Sequence, residues 1–299
     1  MRIKILISFG LAVMVLLACS PAPDSIAPTE TRFPSPTVTA SPIPTATITP
    51  TPQFPAGSTT TSPVDGMVQR SVPAGEFYMG TAQDSEWVDE NEMPEHVVSL
   101  AGFWMDETEV TNAQYVQCVQ AGGCTPPHKS NSYSRAAYYG NPEYDNFPVV
   151  QVDWMQSKTY CEWAKRRLPT EAEWEKAARG ATPRTYPWEG EAKGEYFANF
   201  SIYQVGDTTE VRHYPPGISP YKVYDLAGNV YEWVADWYSQ TYYALSPQEN
   251  PTGPETGLMR VIRGGAWSSD WIFIRTASRM SFYPQDFSGD IGFRCAQSQ

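Results

Sequence analysis

The 299 residues carry a formal net charge of −12, with 41% hydrophobic and 13% aromatic residues. That balance excludes nucleic acid as a partner, because phosphate binding needs clustered Lys and Arg. The acidic excess favours solubility and leaves cations as ligands, and beyond a biased N-terminal part the length suffices for one domain with a substantial core.

Arg2 and Lys4 precede the apolar run Ile5 to Ala18. It is too short to span a bilayer comfortably and has the form of a secretory signal over residues 1–18. The run ends in Leu16-Leu17-Ala18-Cys19, which resembles a bacterial lipoprotein box rather than a plain signal peptide. This predicts a lipid on Cys19 and an extracytoplasmic chain anchored to the cell membrane or outer membrane. Residues 19–65 are mostly Pro, Thr and Ser, a composition that cannot bury enough apolar surface to offset chain entropy. A disordered, partly polyproline spacer is expected, with a reach on the order of 100 Å at ~3.1 Å per residue.

The folded domain is expected over 66–299. It opens with a strand and turn over Val72 to Gly80, then an acidic loop holding Asp84, Glu86, Asp89, Glu90, Glu92 and Glu95. These carboxylates lack the alternating spacing and turn glycine of an EF-hand, so a solvated loop is predicted. A strand over His96 to Asp106 follows, then a helix from an N-cap at Thr111 to about Gln120. Val149 to Val152 reads as a short strand. Asp153 with Gln156, and Thr170 with Glu173, read as capping boxes for helices to about Arg167 and to a C-terminal cap at Gly180. Glu173 and Glu175 lie two apart on the second of these helices, so one is expected to face solvent and another to anchor a loop. After residue 180 aromatic residues alternate with turn formers, which suits long loops anchored by Trp and Tyr. Gly264 and Gly265 mark a bend where backbone approaches backbone. Arg275 and Arg279 supply planar donors for loops without regular partners.

Pro148-Val-Val-Gln-Val-Asp-Trp154, Arg167-Leu-Pro-Thr-Glu-Ala-Glu-Trp-Glu175, Tyr186-Pro-Trp188, Ala198-Asn199, Gly228-Asn-Val-Tyr-Glu-Trp233, Arg263-Gly-Gly265 and Gly292-Phe-Arg294 occur in that order. In this series the chain resembles the formylglycine-generating enzyme, or sulfatase-modifying factor, family over roughly residues 67–296. The resemblance implies an α+β fold, an elaboration of the C-type lectin fold with little regular structure. It implies structural calcium at Gly228, Asn229, Val230 and Glu232, and again at Asn199, Phe200 and Asp207, where hard oxygen ligands suit the ion. It also implies a disulfide between Cys161 and Cys295. Cys118 and Cys124 are close enough in sequence to bond to each other, which leaves Cys19 for lipid.

The active members of that family oxidise a cysteine of an unfolded sulfatase with copper(I) held by two cysteines. Those thiolates should fall between Gly265 and Arg275. This chain has Ala266-Trp-Ser-Ser-Asp-Trp-Ile-Phe-Ile274 there, and serine hydroxyls cannot replace thiolates at copper(I). Copper is therefore not expected, and no catalytic residue is assigned. His96, His128 and His213 are scattered and lack metal-site spacing. Two functional classes remain. One is a cell-surface module binding protein, peptide or glycan in a groove of Trp233, Trp267, Ser268, Ser269, Asp270, Trp271 and Arg275. The other is an extracytoplasmic oxidoreductase or protein-modifying enzyme. The terminal pattern is also similar to the variable proteins of diversity-generating retroelements, which vary this segment to bind new partners.

Overall fold

The computed structural model describes residues 54–85, 87–190, 196–201 and 204–299. The expected signal, Cys19, most of the spacer and Glu86 lie outside them. In chain order the first strands are β1 (Thr59–Thr61), β2 (Val68–Val72), β3 (Gly75–Met79), β4 (His96–Leu100) and β5 (Phe103–Asp106). Helices α1 (Asn112–Gln120), α2 (Trp154–Trp163) and α3 (Glu171–Arg179) follow, and then β6 (Tyr231–Trp237), β7 (Arg260–Arg263), β8 (Arg279–Phe282), β9 (Ile291–Phe293) and β10 (Ala296–Ser298). One sheet has the antiparallel order β1-β2-β5-β10, and β3 pairs with β4 separately. The third sheet, β8-β7-β6-β9, is antiparallel except for the β6–β9 pair.

The predicted caps form. Thr111, Asp153 and Thr170 each accept from the backbone N–H three residues on, and Gln114, Gln156 and Glu173 return the bond. Gly180 closes α3 at φ 81°. α2 stops at Trp163 rather than near Arg167, because Ala164 caps it and Lys165 turns to φ 62°. The strand and turn expected over Val72 to Gly80 form as β3, which starts at Gly75, whereas the strand expected over His96 to Asp106 is broken. Pro73 and Ala74 separate β2 from β3, and Ala101 and Gly102 separate β4 from β5, so that each half joins a different sheet. Val149 to Val152 forms no strand. Its amides bond singly to Val110 and Ser288, and Gln151 sits at φ 63°.

The fold begins earlier than composition indicates. β1 pairs with β2, and Asp65 is buried with its carboxylate on Arg166 and Tyr160. Residues 54–65, expected as the end of the spacer, are therefore part of the folded chain.

α3 has no solvent face, since all nine of its residues are buried. Each charged side chain that points away from the apolar core ties down another element. Glu171 pairs with Arg279, Glu175 with Arg263, Lys176 donates to the carbonyls of Pro73 and Gly75, and Arg179 to those of Tyr78 and Gly80. Neither Glu173 nor Glu175 faces solvent as expected, because both carboxylates are needed by buried or half-buried arginines. One core packs Trp174, Phe77, Val98, Phe103 and Val261 around this helix. A second packs Tyr115, Tyr160, Trp233 and Phe293 beside α1 and α2. Both expected disulfides are present, Cys118–Cys124 at the end of α1 and Cys161–Cys295 joining α2 to the last strands.

Candidate functional site

The final segment is shaped by its glycine pair. Gly264 and Gly265 have φ of 92° and 71°, and a Cβ on Gly265 would lie 2.6 Å from Ile274 Cγ2 and 2.9 Å from the Phe273 carbonyl oxygen. Only glycine allows that approach, which folds residues 266–274 back on the end of β7. Ser269 is buried in the returning loop. Its hydroxyl accepts the Ala266 N–H at 3.0 Å and donates to the Tyr231 hydroxyl at 3.0 Å. Ser268 stays exposed and donates to Asp290 at 2.7 Å. Asp270 caps the short 3-10 turn Trp271–Ile274 through the Trp271 N–H.

Arg275 is not a free groove residue. Its guanidinium is buried against both oxygens of Glu92 at 2.8 and 2.6 Å and donates to the carbonyls of Trp87 and Ile272. Glu92 is 1% exposed, so the acidic stretch is not wholly the solvated loop that its composition predicts. Desolvating a carboxylate is offset here by a bidentate guanidinium partner. Trp267 is also buried, with Tyr133 against its ring at 4.9 Å. Trp233 does not line a groove. It is fully buried in the second core and donates its indole N–H to the Val152 carbonyl at 3.1 Å, which removes it from the expected site.

What the loop does build is a cleft of about 670 Å³ with Trp87 and Trp271 in its wall, edge to face at 5.0 Å. Arg275, Thr276 and Arg179 line it beneath, and Ser85, Glu95 and Arg184 also border it. Its size falls in the range of small-molecule and short-peptide sites. Trp87 and Tyr133 were invisible as site residues in the sequence. Each lies in an irregular stretch more than 130 residues from its partner in the terminal segment, and no periodicity marks it.

The residues expected to hold calcium divide. Asn199, Asp207 and Asn229 do come together: Asn199 donates to the Asp207 carbonyl at 2.9 Å, and the Asn229 N–H to the Asn199 carbonyl at 2.7 Å. Phe200 continues that strand of contacts, its N–H held by Gln204, while Gly228 (φ 80°) packs against the Asn199 backbone. Val230 is buried apolar packing. Glu232 is committed elsewhere. Its carboxylate accepts two bonds from Arg294 at 2.7 Å and one from the Trp174 indole at 2.7 Å. Asp207 accepts from Ser132, from Ser134 and from the Thr208 N–H. Burial opposes its charge, but the Ser134 and Ser132 bonds hold its carboxyl below the ordinary range. Asn229 Oδ1 accepts the Thr209 N–H at 2.9 Å. Among the expected side-chain ligands, Asn199 Oδ1 alone is buried with no donor. Nearby, burial and the charge of Asp225 push the Glu109 carboxyl well up, and burial raises that of Asp225 as well.

All four cysteines of the described residues are in disulfides, and the stretch 266–274 contains none. Three comparisons with known proteins bear on this arrangement. A family model described as sulfatase-modifying factor enzyme 1-like domain matches residues 53–299. The formylglycine-generating enzyme of Streptomyces coelicolor is 36% identical over 279 residues, covering 76% of this chain and 88% of that protein. The serine/threonine-protein kinase pkn1 of Chlamydia pneumoniae is 38% identical over 240 residues, 76% of this chain, but this chain spans only 37% of its length. Among solved structures, PvdO from Pseudomonas aeruginosa superposes with a TM-score of 0.70 at 30% identity, over 82% of this chain and 99% of that one.

Proposed function

The chain belongs to the sulfatase-modifying factor family, and from that membership we propose that it is a lipid-anchored envelope protein whose domain binds a ligand instead of oxidising cysteine with copper. One observation carries the reading. Where the family resemblance requires two thiolates, the loop after Gly265 has Ser268 and Ser269, and Ser269 is spent on internal bonds to Ala266 and Tyr231. The same loop presents Trp271 to Trp87 in the wall of a cleft. Aromatic walls give contact area at low entropic cost, and the bordering Ser85, Glu95 and Arg184 offer polar complements for a protein, peptide or glycan. Cys19 would carry the lipid and the Pro/Thr/Ser spacer would set the domain away from the membrane.

Calcium has a structural part in this reading. The uncommitted, buried Asn199 Oδ1 supports a hard cation there, with Asn199 as its side-chain ligand. Glu232 supports Arg294 and Trp174 instead.

A second reading, an extracytoplasmic oxidoreductase or protein-modifying enzyme, is favoured by the relative named formylglycine-generating enzyme, of which this chain covers 88%. Metal analysis with free-thiol titration on the purified full-length protein after copper loading separates the two. The expected result is calcium without retained copper and no reactive thiol, since Cys19 carries lipid and the other cysteines are in disulfides. Added calcium should raise the melting temperature of the wild type but not of Asn199→Ala. Stoichiometric copper with reactive thiols would establish the second reading.

A further inference from the structure

On another face of the molecule lies a cleft of about 580 Å³, which contains none of the residues discussed above as groove or metal ligands. Leu100, Ala101, Trp154, Leu168, Ala235 and Pro251 give it an apolar lining. Its charged side chains are Lys158, Glu162, Arg167, Glu173 and Arg260. Four of these neutralise one another. Lys158 pairs with Glu162 at 2.5 Å, and Arg167 forms a two-bond pair with Glu173 at 2.6 Å.

Arg260 has no such partner. No carboxylate of the described residues lies within ion-pair distance of it; its one hydrogen bond is from Nη1 to the Ala235 carbonyl, and Nε is buried without an acceptor. Trp154 and Trp237 sandwich the guanidinium, with its carbon 3.8 and 3.5 Å from the ring centroids. A guanidinium held between two aromatic faces keeps its charge and its plane fixed, but can satisfy its remaining N–H groups only in that plane. The acid whose charge reaches Arg260 is Asp236, which lies beyond ion-pair distance and whose own carboxyl is pushed well up by burial and by Glu171. Burial lowers the basicity of the arginine to about 10, against the opposing charge of Asp236. A cation oriented this firmly and left uncompensated at the wall of an apolar cleft is complementary to one kind of ligand.

We propose that this cleft binds a carboxylate carrying an apolar body, with the carboxylate in the plane of Arg260 and the apolar part against Leu100, Leu168 and Trp154. The ligand is either a free organic acid or the C-terminus of a peptide ending in an apolar residue. Calorimetric titration of the full-length protein with 4-methylpentanoate and with acetyl-Ala-Ala-Leu distinguishes these sources. Saturable binding of either is expected, with the corresponding amide at least about tenfold weaker because a neutral group cannot meet the guanidinium charge. Stronger binding of the acetylated peptide assigns the cleft to a peptide terminus, and stronger binding of the simple acid assigns it to a small molecule. Arg260→Gln should abolish binding. Because that change also removes the aromatic sandwich, Thr252→Trp serves as the second variant. Thr252 is exposed and lines the cleft, so this change adds bulk there while keeping Arg260 and both of its tryptophans. Equal affinity for acid and amide, unaltered binding in Thr252→Trp, or no binding of either carboxylate would overturn the proposal.

Discussion

Arg166 faces two buried carboxylates, Asp65 and Asp106, and a single guanidinium cannot neutralise both. Burial, opposed by Arg166 and reinforced by Asp65, pushes the Asp106 carboxyl up from 3.8 to about 7. Between those values the folded chain holds a proton that the unfolded chain releases. This stabilisation is full below about pH 4 and is lost as pH rises from there through about 7, a contribution on the order of 4 kcal/mol. Glu109, Asp225 and Asp236 carry the same sign, whereas Glu171 and Asp207, with lowered values, carry the opposite one. The total pH profile is therefore composite, and a difference measurement isolates the residue. Urea denaturation of wild type and Asp106→Asn at pH 5 and pH 8 should show the wild type losing more stability on the alkaline side. Parallel losses in both proteins would refute the assignment. The residue types of this cluster were plain in the sequence, but their meeting was not, since Asp65 and Arg166 are 101 positions apart.

Elements were legible where their cause is local. The three capping boxes are written in four-residue windows, and the helices start where those windows put them. The Gly264-Gly265 bend was also readable, because crowding by Ile274 and Phe273 arises within ten residues. Burial was not legible in the same way. The alternation of acids, bases and alanines along α3 looks like a half-exposed helix, yet arginines of the terminal segment cover its charges from about 90 to 110 positions away. Glu92 misleads for the same reason, its partner Arg275 being 183 positions distant. Thr170→Ala tests how far local and distant contributions separate in α3. Losing the cap should cost ~1 kcal/mol, the usual value for a side-chain cap, and leave the melting cooperative. A loss of several kcal/mol would mean that Thr170 also positions Glu173 for Arg167.

Among the described residues, one sheet brings the first strand and the last together around β5. β10 lies against β5, and β5 also pairs with β2, whose other edge receives β1. Residues 54–65 thereby belong to the fold, although their Thr-rich composition reads as linker. β1 itself is exposed at all three positions and adds little by burial. The weight rests on its flanks. Phe54 packs on Trp104 with ring centroids at 4.8 Å, the Gly57 carbonyl accepts from Arg70 at 3.0 Å, and Asp65 holds Arg166 and the Tyr160 hydroxyl. A chain cut to 66–299 loses all of these and leaves Arg166 with Asp106 alone. Breaking one arm of a buried ion cluster costs about 3 kcal/mol, the lower end of the range for a severed buried pair, because one carboxylate remains. The unfolding free energies of 54–299 and 66–299, from denaturant midpoints and slopes, should differ by that amount at neutral pH. The pH dependence gives a second, independent reading. Asp65 helps to raise the Asp106 carboxyl, so its removal lets Asp106 ionise at lower pH and shrinks the loss of stability between pH 5 and 8. Equal unfolding free energies and an unchanged pH slope in the shorter chain would place the true start of the fold after Asp65.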